Sequence, residues 1–580
     1  MYRYARPAQP VSRLRWLVPC LGLLLAAGCA SVATAPSAAP EHSAALAQLD
    51  QGQAQDAAQR LEALAASARG AQRNALLADA AFAWHEAGEA AQARRVSAQL
   101  DPRRVSGASR ARLALMQAEQ ALAAQQPGTV AALLAGSPAT LPMPLQARWH
   151  LAMAAAHQAQ GDALAAAAAH ARADAGLDAE PRVQNHRAIE RLLSSLDDQA
   201  LSARAAALPA GDPLYNFAAR ALVRRGLAPP RPFDLGDAWK FDQRAPAAAD
   251  GYRPPRKLAV LLPLSGQLAT AAVPVRDGLL AGYFGEQRAR PEIAFYDTTG
   301  TSAGAVAAYA TAVGEGADFV IGPLGRDEVT RLFQEPAISV PSLALNRASI
   351  AAPPGHAMFS LAPEDDGVAA ADYLLARERR RVLVIAGTDE NGQRAAEAFA
   401  TRLGERGGEV VASVSVGEQP GNLARQLAQA AAAGADAVFL AVRGPQARAL
   451  APQLATAGLA TRSRVGTSQL TSGTGNPTED AALDGIVYPT EAWPSRGASG
   501  LPQASVAAAI IPSARGAAAR LFAFGYDAWR ITAYLERLAT RTDGQVQGAT
   551  GDLRLDGFGN IVRQPAWATF SGGTPVPLTR

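Results

Sequence analysis

The sequence predicts an α-helical solenoid in its first half and a two-lobed α/β body in its second half. Residues 43–227 follow a helical apolar period in which a glycine-centred motif recurs, and from Lys257 onward apolar strand-like runs alternate with helical segments. Between them, residues 228–255 contain two Pro-Pro pairs and few periodic apolar residues, which is typical of a semi-rigid linker. A chain of 580 residues is also too long for one hydrophobic core.

The first 28 residues have the features of a secretory signal peptide. They contain four arginines, no acidic residue and an apolar run shorter than the ~20 residues of a membrane-spanning helix. The run ends in Leu25-Ala-Ala-Gly-Cys29, which resembles the bacterial lipobox, where cleavage precedes a cysteine that receives lipid. We therefore expect a lipoprotein signal peptide over residues 1–28, lipidation of Cys29 and a tether over residues 29–42. The alternative is an ordinary signal peptide with an incidental cysteine.

Removal of this signal peptide would change the chemistry of the chain. The only other cysteine, Cys20, would leave with it, which excludes disulfides, thiolate metal sites and a cysteine nucleophile. Of the 55 basic residues, 51 would remain against 51 acidic ones, so the charge gives no reason to expect nucleic acid as a partner. Ala30 and Ser31 follow Cys29 without an aspartate at the next position. By analogy with bacterial lipoprotein sorting, this favours the periplasmic side of the outer membrane.

The helical half repeats at a period close to that of tetratricopeptide proteins. Gly52, Gly88, Gly128 and Gly161 lie in similar short motifs and are 36, 40 and 33 residues apart; the tetratricopeptide unit has ~34 residues. We expect each glycine at a turn between paired helices, where glycine adopts a positive φ most easily. The histidines of this half show no His-Glu-x-x-His or comparable spacing, so no metal site is predicted.

The second half, residues 256–580, contains two successive series of apolar strands and helices. Strands that are apolar throughout indicate parallel sheets covered on both faces, and two series predict two doubly wound lobes with a cleft between them. The predicted strands are Lys257–Leu262, Ile293–Asp297, Asp318–Leu324, Val340–Asn346, Met358–Leu361, Arg381–Ala386, Glu409–Val416, Ala437–Val442 and Gly485–Tyr488. The predicted helices include 303–313, 363–378, 392–406, 423–433, 445–457 and 520–538, whereas 463–479 is predicted as a loop and 548–563 as a hairpin.

Four residues at the ends of predicted strands are candidate cleft residues. Ser265 and Gly266 follow the first strand, Gly322 follows the third and Asn346 follows the fourth. Ser265 and Asn346 could each meet a polar group of a ligand. The alternative is that these segments are only strand-to-helix turns.

We find no catalytic constellation. The sequence lacks a Ser-x-x-Lys pair, a Walker loop and a dinucleotide fingerprint. The carboxylate cluster Glu364-Asp365-Asp366 is explained as a helix cap rather than an acid/base pair. We therefore predict that the protein is not an enzyme and uses no cofactor or metal.

Several motifs of the second half, in order, resemble the LpoA family of lipoprotein activators of penicillin-binding proteins. They include Leu261-Leu-Pro-Leu-Ser-Gly266, Ile321-Gly-Pro-Leu324, Leu343-Ala-Leu-Asn346 and Phe522-Ala-Phe-Gly-Tyr-Asp-Ala528. The resemblance implies a tetratricopeptide-like domain followed by a fold like type I periplasmic solute-binding proteins. It also implies an outer-membrane location and a class A penicillin-binding protein as partner, stimulated chiefly in its transpeptidase activity. The sequence departs from the family in its alanine content and in the 463–479 segment.

Two other functions are compatible with these features. One is a solute-binding lipoprotein of an ABC-type uptake system, because the implied α/β fold is that of such receptors. The other is a peptidoglycan-cleaving enzyme, which the missing acid/base motif disfavours most.

Overall fold

In the computed structural model, which describes residues 40–235, 238–336 and 338–578, helices form the first part of the chain and two sheets dominate the second. The chain divides into two compact units between Met116 and Gln117. Cys29 and the predicted signal peptide lie outside the described residues. The predicted domain boundaries at residues 42/43, 227/228 and 255/256 stay predictions.

The first unit is an array of alanine-rich helices. These are α1 (Pro40–Asp50), α2 (Ala54–Ser67), α3 (Gly70–Glu86), α4 (Ala90–Ser97) and the first part of α5 (Gly107–Ala123). Small buried side chains such as Ala57, Ala58 and Ala80 allow the helices to pack closely. The buried carboxylate of Asp79 accepts hydrogen bonds from Ser109 Oγ at 2.8 Å and Arg112 Nη1 at 3.1 Å, which compensates the cost of burying its charge.

The second unit begins with six more helices. They are α6 (Pro127–Leu133), α7 (Met143–Ala159), α8 (Ala163–Ala173), α9 (Ala179–Ser194), α10 (Asp198–Ala207) and α11 (Tyr215–Arg224). Gly52, Gly88 and Gly161 have φ values of 82°, 78° and 77° and lie at turns, as predicted. The prediction for Gly128 is wrong, because Pro127 starts α6 and places Gly128 in its first turn.

Lobe 1 contains a five-stranded parallel sheet. Its strands are β1 (Lys257–Leu262), β2 (Glu292–Asp297), β3 (Phe319–Ile321), β4 (Ser342–Ala344) and β5 (His356–Met358), in the spatial order β2-β1-β3-β4-β5. The connecting helices are α12 (Ala269–Gly285), α13 (Ser302–Gly314) and α14 (Arg326–Phe333). β1 is buried over five of its six residues because it has a neighbour on each side and helices pack on the sheet.

Lobe 2 contains a seven-stranded mixed sheet. It begins with α15 (Pro363–Leu375), β6 (Arg381–Gly387), α16 (Glu390–Glu405), β7 (Glu409–Val416), α17 (Ala424–Ala432), β8 (Ala437–Ala441) and α18 (Gly444–Thr456). It continues with β9 (Ser463–Gly466), α19 (Pro477–Asp480) and β10 (Val487–Thr490), and the chain returns at its end as β14 (Ala566–Ser571) and β15 (Thr574–Pro577). The spatial order is β15-β14-β10-β9-β8-β6-β7, in which β14 and β15 pair antiparallel.

Between β10 and β14 the chain revisits lobe 1. This segment comprises α20 (Trp493–Arg496), α21 (Ala504–Ile510), α22 (Ala518–Ala533), α23 (Leu535–Thr540) and a small antiparallel sheet of β11 (Val546–Gln547), β12 (Asp552–Leu555) and β13 (Ile561–Gln564). Leu553, Leu555 and Ile561 bury their side chains in the core of lobe 1. The chain therefore passes between the lobes three times.

Helices α12 and α22 approach closely through glycines. A Cβ atom built at Gly278 would lie 1.8 Å from the carbonyl oxygen of Phe522, and one at Gly525 would lie 1.9 Å from that of Val275. Only glycine fits at these positions, because the two backbones are in contact there. The aromatic residues of the predicted 520–538 helix, including Phe522 and Trp529, are core residues as expected.

Three further local predictions are wrong. Residues 463–479 are not a loop, since they contain β9 and α19. The predicted helix 520–538 is interrupted at Tyr534, between α22 and α23. The strand predicted at 358–361 lies earlier, at β5. The antiparallel hairpin around Asp556-Gly557 is confirmed by the pairing of β12 with β13.

No helix in the described part of the chain is both long and apolar enough to cross a bilayer.

Candidate functional site

Ser265 and Gly266 lie at the carboxyl end of β1, where Ser265 is bound to the end of β2. Ser265 Oγ donates to Asp297 Oδ2 at 2.6 Å, and the backbone N–H of Leu264 donates to Asp297 Oδ1 at 2.9 Å. The hydrogen bond from Ser265 and those from nearby backbone N–H groups lower the pKa of Asp297. Gly266 has a φ of +79°, and an added Cβ would lie 2.8 Å from the carbonyl oxygen of Thr299.

Gly322 and Asn346 lie together at the carboxyl ends of β3 and β4. Gly322 is buried with a φ of +103°, and an added Cβ would lie 2.1 Å from the carbonyl oxygen of Leu261. Asn346 Nδ2 donates to the carbonyl oxygen of Leu324 at 2.9 Å, and its Oδ1 accepts from the N–H of Arg347. The structure thus places all four candidate cleft residues along one edge of the lobe 1 sheet. The hydrogen bonds of Ser265 and Asn346 stabilise their own loops, and a ligand-binding role for the four residues stays a prediction.

A polar network joins the two lobes, and we call it the interlobe network. It consists of Asp366, Ser468, Glu491, Arg520 and Arg563. Asp366 is 2% exposed and accepts from the N–H of Ser468 at 2.9 Å, from Ser468 Oγ, and from Arg563 Nη2 at 3.4 Å. Arg520 lies 3.9 Å from Asp366 and pairs with Glu491 at 3.3 Å. The network therefore contains two guanidinium groups and two carboxylates, which balance in charge.

The members of this network come from different lobes. Arg520 belongs to α22 and Arg563 to β13, both packed on lobe 1. Asp366 belongs to α15 of lobe 2, while Ser468 and Glu491 follow β9 and β10. The side chains of the protein itself therefore connect the lobes where the chain passes between them. A charge left without its partner in this buried position would cost several kcal/mol, so the network holds the lobes in this arrangement.

The structure corrects the sequence-based explanation of Glu364-Asp365-Asp366. The residue before α15 is Ala362, and no side chain caps the helix there. Glu364 instead pairs with Arg394 at 2.8 Å, Asp365 pairs with Arg347, and Asp366 enters the interlobe network. The run of three acidic residues therefore indicated a group of ion pairs rather than a helix cap. Its partners could not be identified because they lie far away in the chain.

A cavity of about 1300 Å³ lies between the helical segment of the second unit and the two-lobed body. Helices α9 and α11 form one wall, α15 and α16 form another, and β12 and β13 form the floor. We call this cavity the arginine groove, because eleven arginines and eight acidic residues line it. None of the four candidate cleft residues lines it.

The turn between β12 and β13 attaches the body to the helical segment beside this groove. The ring of Phe558 lies 4.5 Å from that of Phe217, and the guanidinium of Arg220 lies 4.0 Å above it. Asn216 Nδ2 donates to the carbonyl oxygen of Gly557 at 3.3 Å. Burial lowers the pKa of Arg220, although its ion pair with Glu190 opposes this effect.

His356 and Asp527 are buried titratable groups of lobe 1. His356 Nδ1 lies 2.8 Å from Ser342 Oγ, and burial, assisted by the charge of Lys240, lowers the pKa of His356 to about 4. Asp527 accepts from the N–H groups of Ala549 and Thr550 at 2.6 and 2.8 Å, and burial raises its pKa to about 6. Among the described residues no carboxylate contacts His356, and both members of the Ser-His pair are buried, so the pair is not placed to attack a substrate.

The sequence and fold were compared with those of known proteins. Residues 251–573 match the family described as "LppC putative lipoprotein". The penicillin-binding protein activator LpoA of Photobacterium profundum is 26% identical across 55% of this chain and 56% of its own length. LpoA of Mannheimia succiniciproducens is also 26% identical, across 56% and 55%. The chain thus spans about half the length of the curated relatives it matches.

A solved structure extends the comparison to the whole fold. Full-length LpoA from Haemophilus influenzae aligns with a TM-score of 0.50 at 18% identity, covering 94% of this chain and 98% of that one. This likeness concerns the fold alone, and it agrees with the predicted order of a helical first half followed by a two-lobed α/β half. Because the family model covers more than half of the residues, the chain belongs to the LppC lipoprotein family, as the resemblance of its motifs to LpoA predicts.

Proposed function

We propose that this protein regulates peptidoglycan synthesis by binding a class A penicillin-binding protein and stimulating its transpeptidase activity. Lipid on Cys29 anchors it to the periplasmic side of the outer membrane. The observation that supports this proposal most is the alignment with relatives named penicillin-binding protein activators, over a stretch of about 55% of the chain. The protein acts by binding and not by catalysis.

The interlobe network favours this role over solute uptake. A solute receptor of this fold binds its ligand between the lobes. Here Arg520 and Arg563 of lobe 1 already contact lobe 2: Arg520 bonds to the hydroxyl of Ser468 and pairs with Glu491, and Arg563 bonds to Asp366. A solute in that position would have to replace these contacts, whereas a protein partner on an outer surface would meet two lobes held in a fixed arrangement.

Activation requires a difference in affinity. A regulator can shift a synthase toward its active state only if it binds that state more tightly than the inactive one. A tenfold difference in affinity corresponds to about 1.4 kcal/mol, which a modest contact surface can supply.

The direct test is a reconstituted synthesis assay. The full-length protein in detergent is added to a purified class A synthase with its lipid-linked substrate, and cross-linked products are separated from uncross-linked glycan. We expect the cross-linked fraction to rise with the amount of protein until the binding site on the synthase is saturated. An unchanged fraction, together with no binding in a pull-down, would refute the proposal.

The anchor is tested separately. The Cys29→Ala variant should fractionate as a soluble periplasmic protein or remain unprocessed, whereas the Cys20→Ala variant should fractionate with the outer membrane like the native protein. Equal outer-membrane fractions for both variants would contradict lipidation at Cys29.

A further inference from the structure

The size and lining of the arginine groove do not suit a small apolar ligand. Pockets for such ligands typically measure ~300–1000 Å³ and are mostly apolar. The groove has a volume of about 1300 Å³, and more than half of its lining residues are charged. These properties suit an extended polar molecule with charged groups at several points.

The charge of the lining favours a ligand with carboxylates. Eleven arginines against eight acidic residues give an excess of three positive charges. Burial lowers the pKa of Arg406 just beyond α16, and the charges of Arg402 and Arg225 lower it further against the opposing effect of Asp372 and Asp198. A guanidinium group can bind a carboxylate through two parallel hydrogen bonds, which makes arginine well suited to such ligands.

Some of these arginines have donors available. Arg187 on α9 and Arg377 beyond α15 are exposed and have no acidic partner within the described residues. Arg563, on the floor, is buried, and its Nε has no hydrogen-bond partner. The guanidinium of Arg377 lies 3.6 Å from the ring centre of Tyr373, so its position is partly fixed before a ligand arrives.

Two further features refine the ligand class. The indole of Trp567 lines the groove 4.5 Å from Tyr373 and offers a partly exposed flat apolar surface, against which a sugar ring can pack. Glu397 lines the groove, is exposed and has no cationic partner among the described residues, so an amino group can bind there. Carboxylates, an amino group and a sugar occur together in a peptide attached to an amino sugar.

We propose that the arginine groove binds a carboxylate-bearing glycopeptide, the repeating unit of the wall polymer. This inference rests on the proposed function only for the identity of the ligand, since a regulator of wall synthesis works beside that polymer. The excess of arginine recognises the carboxylates of the peptide, and the Trp567 surface receives the sugar. The groove would let the protein sense the polymer that the synthase makes, while another surface contacts the synthase.

The test is a calorimetric titration of the full-length protein in detergent. One titrant is a purified disaccharide-tetrapeptide released from cell-wall sacculi, another is the same fragment with its carboxylates converted to amides, and the third is the disaccharide alone. We expect saturable binding of the first and at least ~tenfold weaker binding of the other two. The Arg187→Ala/Arg377→Ala double variant should lose at least ~tenfold in affinity. The control Arg515→Ala, which removes an exposed arginine outside the groove, should bind like the native protein.

The outcomes separate this proposal from the proposed function. A native protein that stimulates the synthase but does not bind the glycopeptide overturns only the groove assignment. Undiminished binding by the double variant, or equal binding of the amidated fragment, also overturns it. Loss of glycopeptide binding in a double variant that keeps its melting temperature and still stimulates the synthase supports a separate site.

Discussion

The buried imidazole of His356 should make the stability of lobe 1 depend on pH. Its pKa falls from 6.5 in the unfolded chain to about 4 in the fold, because burial and the charge of Lys240 both disfavour the protonated form. Below about pH 6.5 the unfolded state therefore binds a proton that the folded state does not. The contribution of neutral His356 to the stability of lobe 1 is therefore fully present at neutral pH, and it is lost as the pH falls from about 6.5 toward 4.

The size of the effect follows from these two pKa values. Between about pH 7.5 and about pH 5, the linkage relation gives a loss of about 2 kcal/mol in the free energy of unfolding. Asp527 acts in the opposite direction: its pKa is raised to about 6, so its contribution becomes more favourable as the pH falls from about 6 toward 3.8. The comparison must therefore be made between the native protein and a His356→Gln variant, in which the contribution of Asp527 is the same.

The assay has to report on lobe 1 alone, because a chain of several domains does not unfold in one step. The native protein and His356→Gln are equilibrated in urea at several pH values and then labelled by a hydrogen-exchange pulse at one fixed pH. Peptides that contain β4 and β5 give the midpoint for this lobe. The native protein should lose about 2 kcal/mol more than the variant between the two pH extremes. Parallel pH profiles would refute the argument.

Three substitutions, two of them with a matched control variant, test the packing. Gly525→Ala should lower the melting temperature strongly, because its Cβ would lie 1.9 Å from a carbonyl oxygen of the facing helix. The control Gly404→Ala has open space around it, so it should be neutral or stabilise the protein by up to ~1 kcal/mol. Arg520→Ala should leave the fold intact but broaden the distribution of distances between spin labels on the two lobes. Phe558→Ala should destabilise the attachment of the helical segment by about 2 kcal/mol, and this should appear as faster proteolysis within residues 228–255. The control Phe284→Ala alters a residue that is 63% exposed, so it should change little.

Contrary results would have specific meanings. Equal melting temperatures for the two glycine variants would show that the paired helices can move apart at little cost. An unchanged distance distribution would show that other contacts fix the lobes. Equal proteolysis of the Phe558→Ala and Phe284→Ala variants would show that the β12–β13 hairpin does not stabilise the attachment of the helical segment.

The sequence predicts those parts of the fold whose signal is local. β1 is recognisable because all but its first residue are apolar, and the β12–β13 hairpin because Asp556-Gly557 forms a typical turn. β9 was missed because it has four residues, Ser463–Gly466, one of them an arginine, and is a strand only through its parallel neighbours β8 and β10. The interlobe network was missed for a similar reason. Ser468 and Arg563 lie 102 and 197 positions from Asp366, and only the three-dimensional structure brings them together.

The last strand limits how two copies of this protein can associate. The N–H of Leu578 donates to Trp567, so in β15 the alternate residues Thr574 and Val576 turn their N–H groups toward β14. Pro575 and Pro577 occupy the positions that face outward, and proline has no N–H to offer. The outer edge of β15 therefore presents backbone carbonyl acceptors but no N–H donor from Pro575 or Pro577. A second copy of the chain would therefore find no template for strand addition at this edge of the sheet.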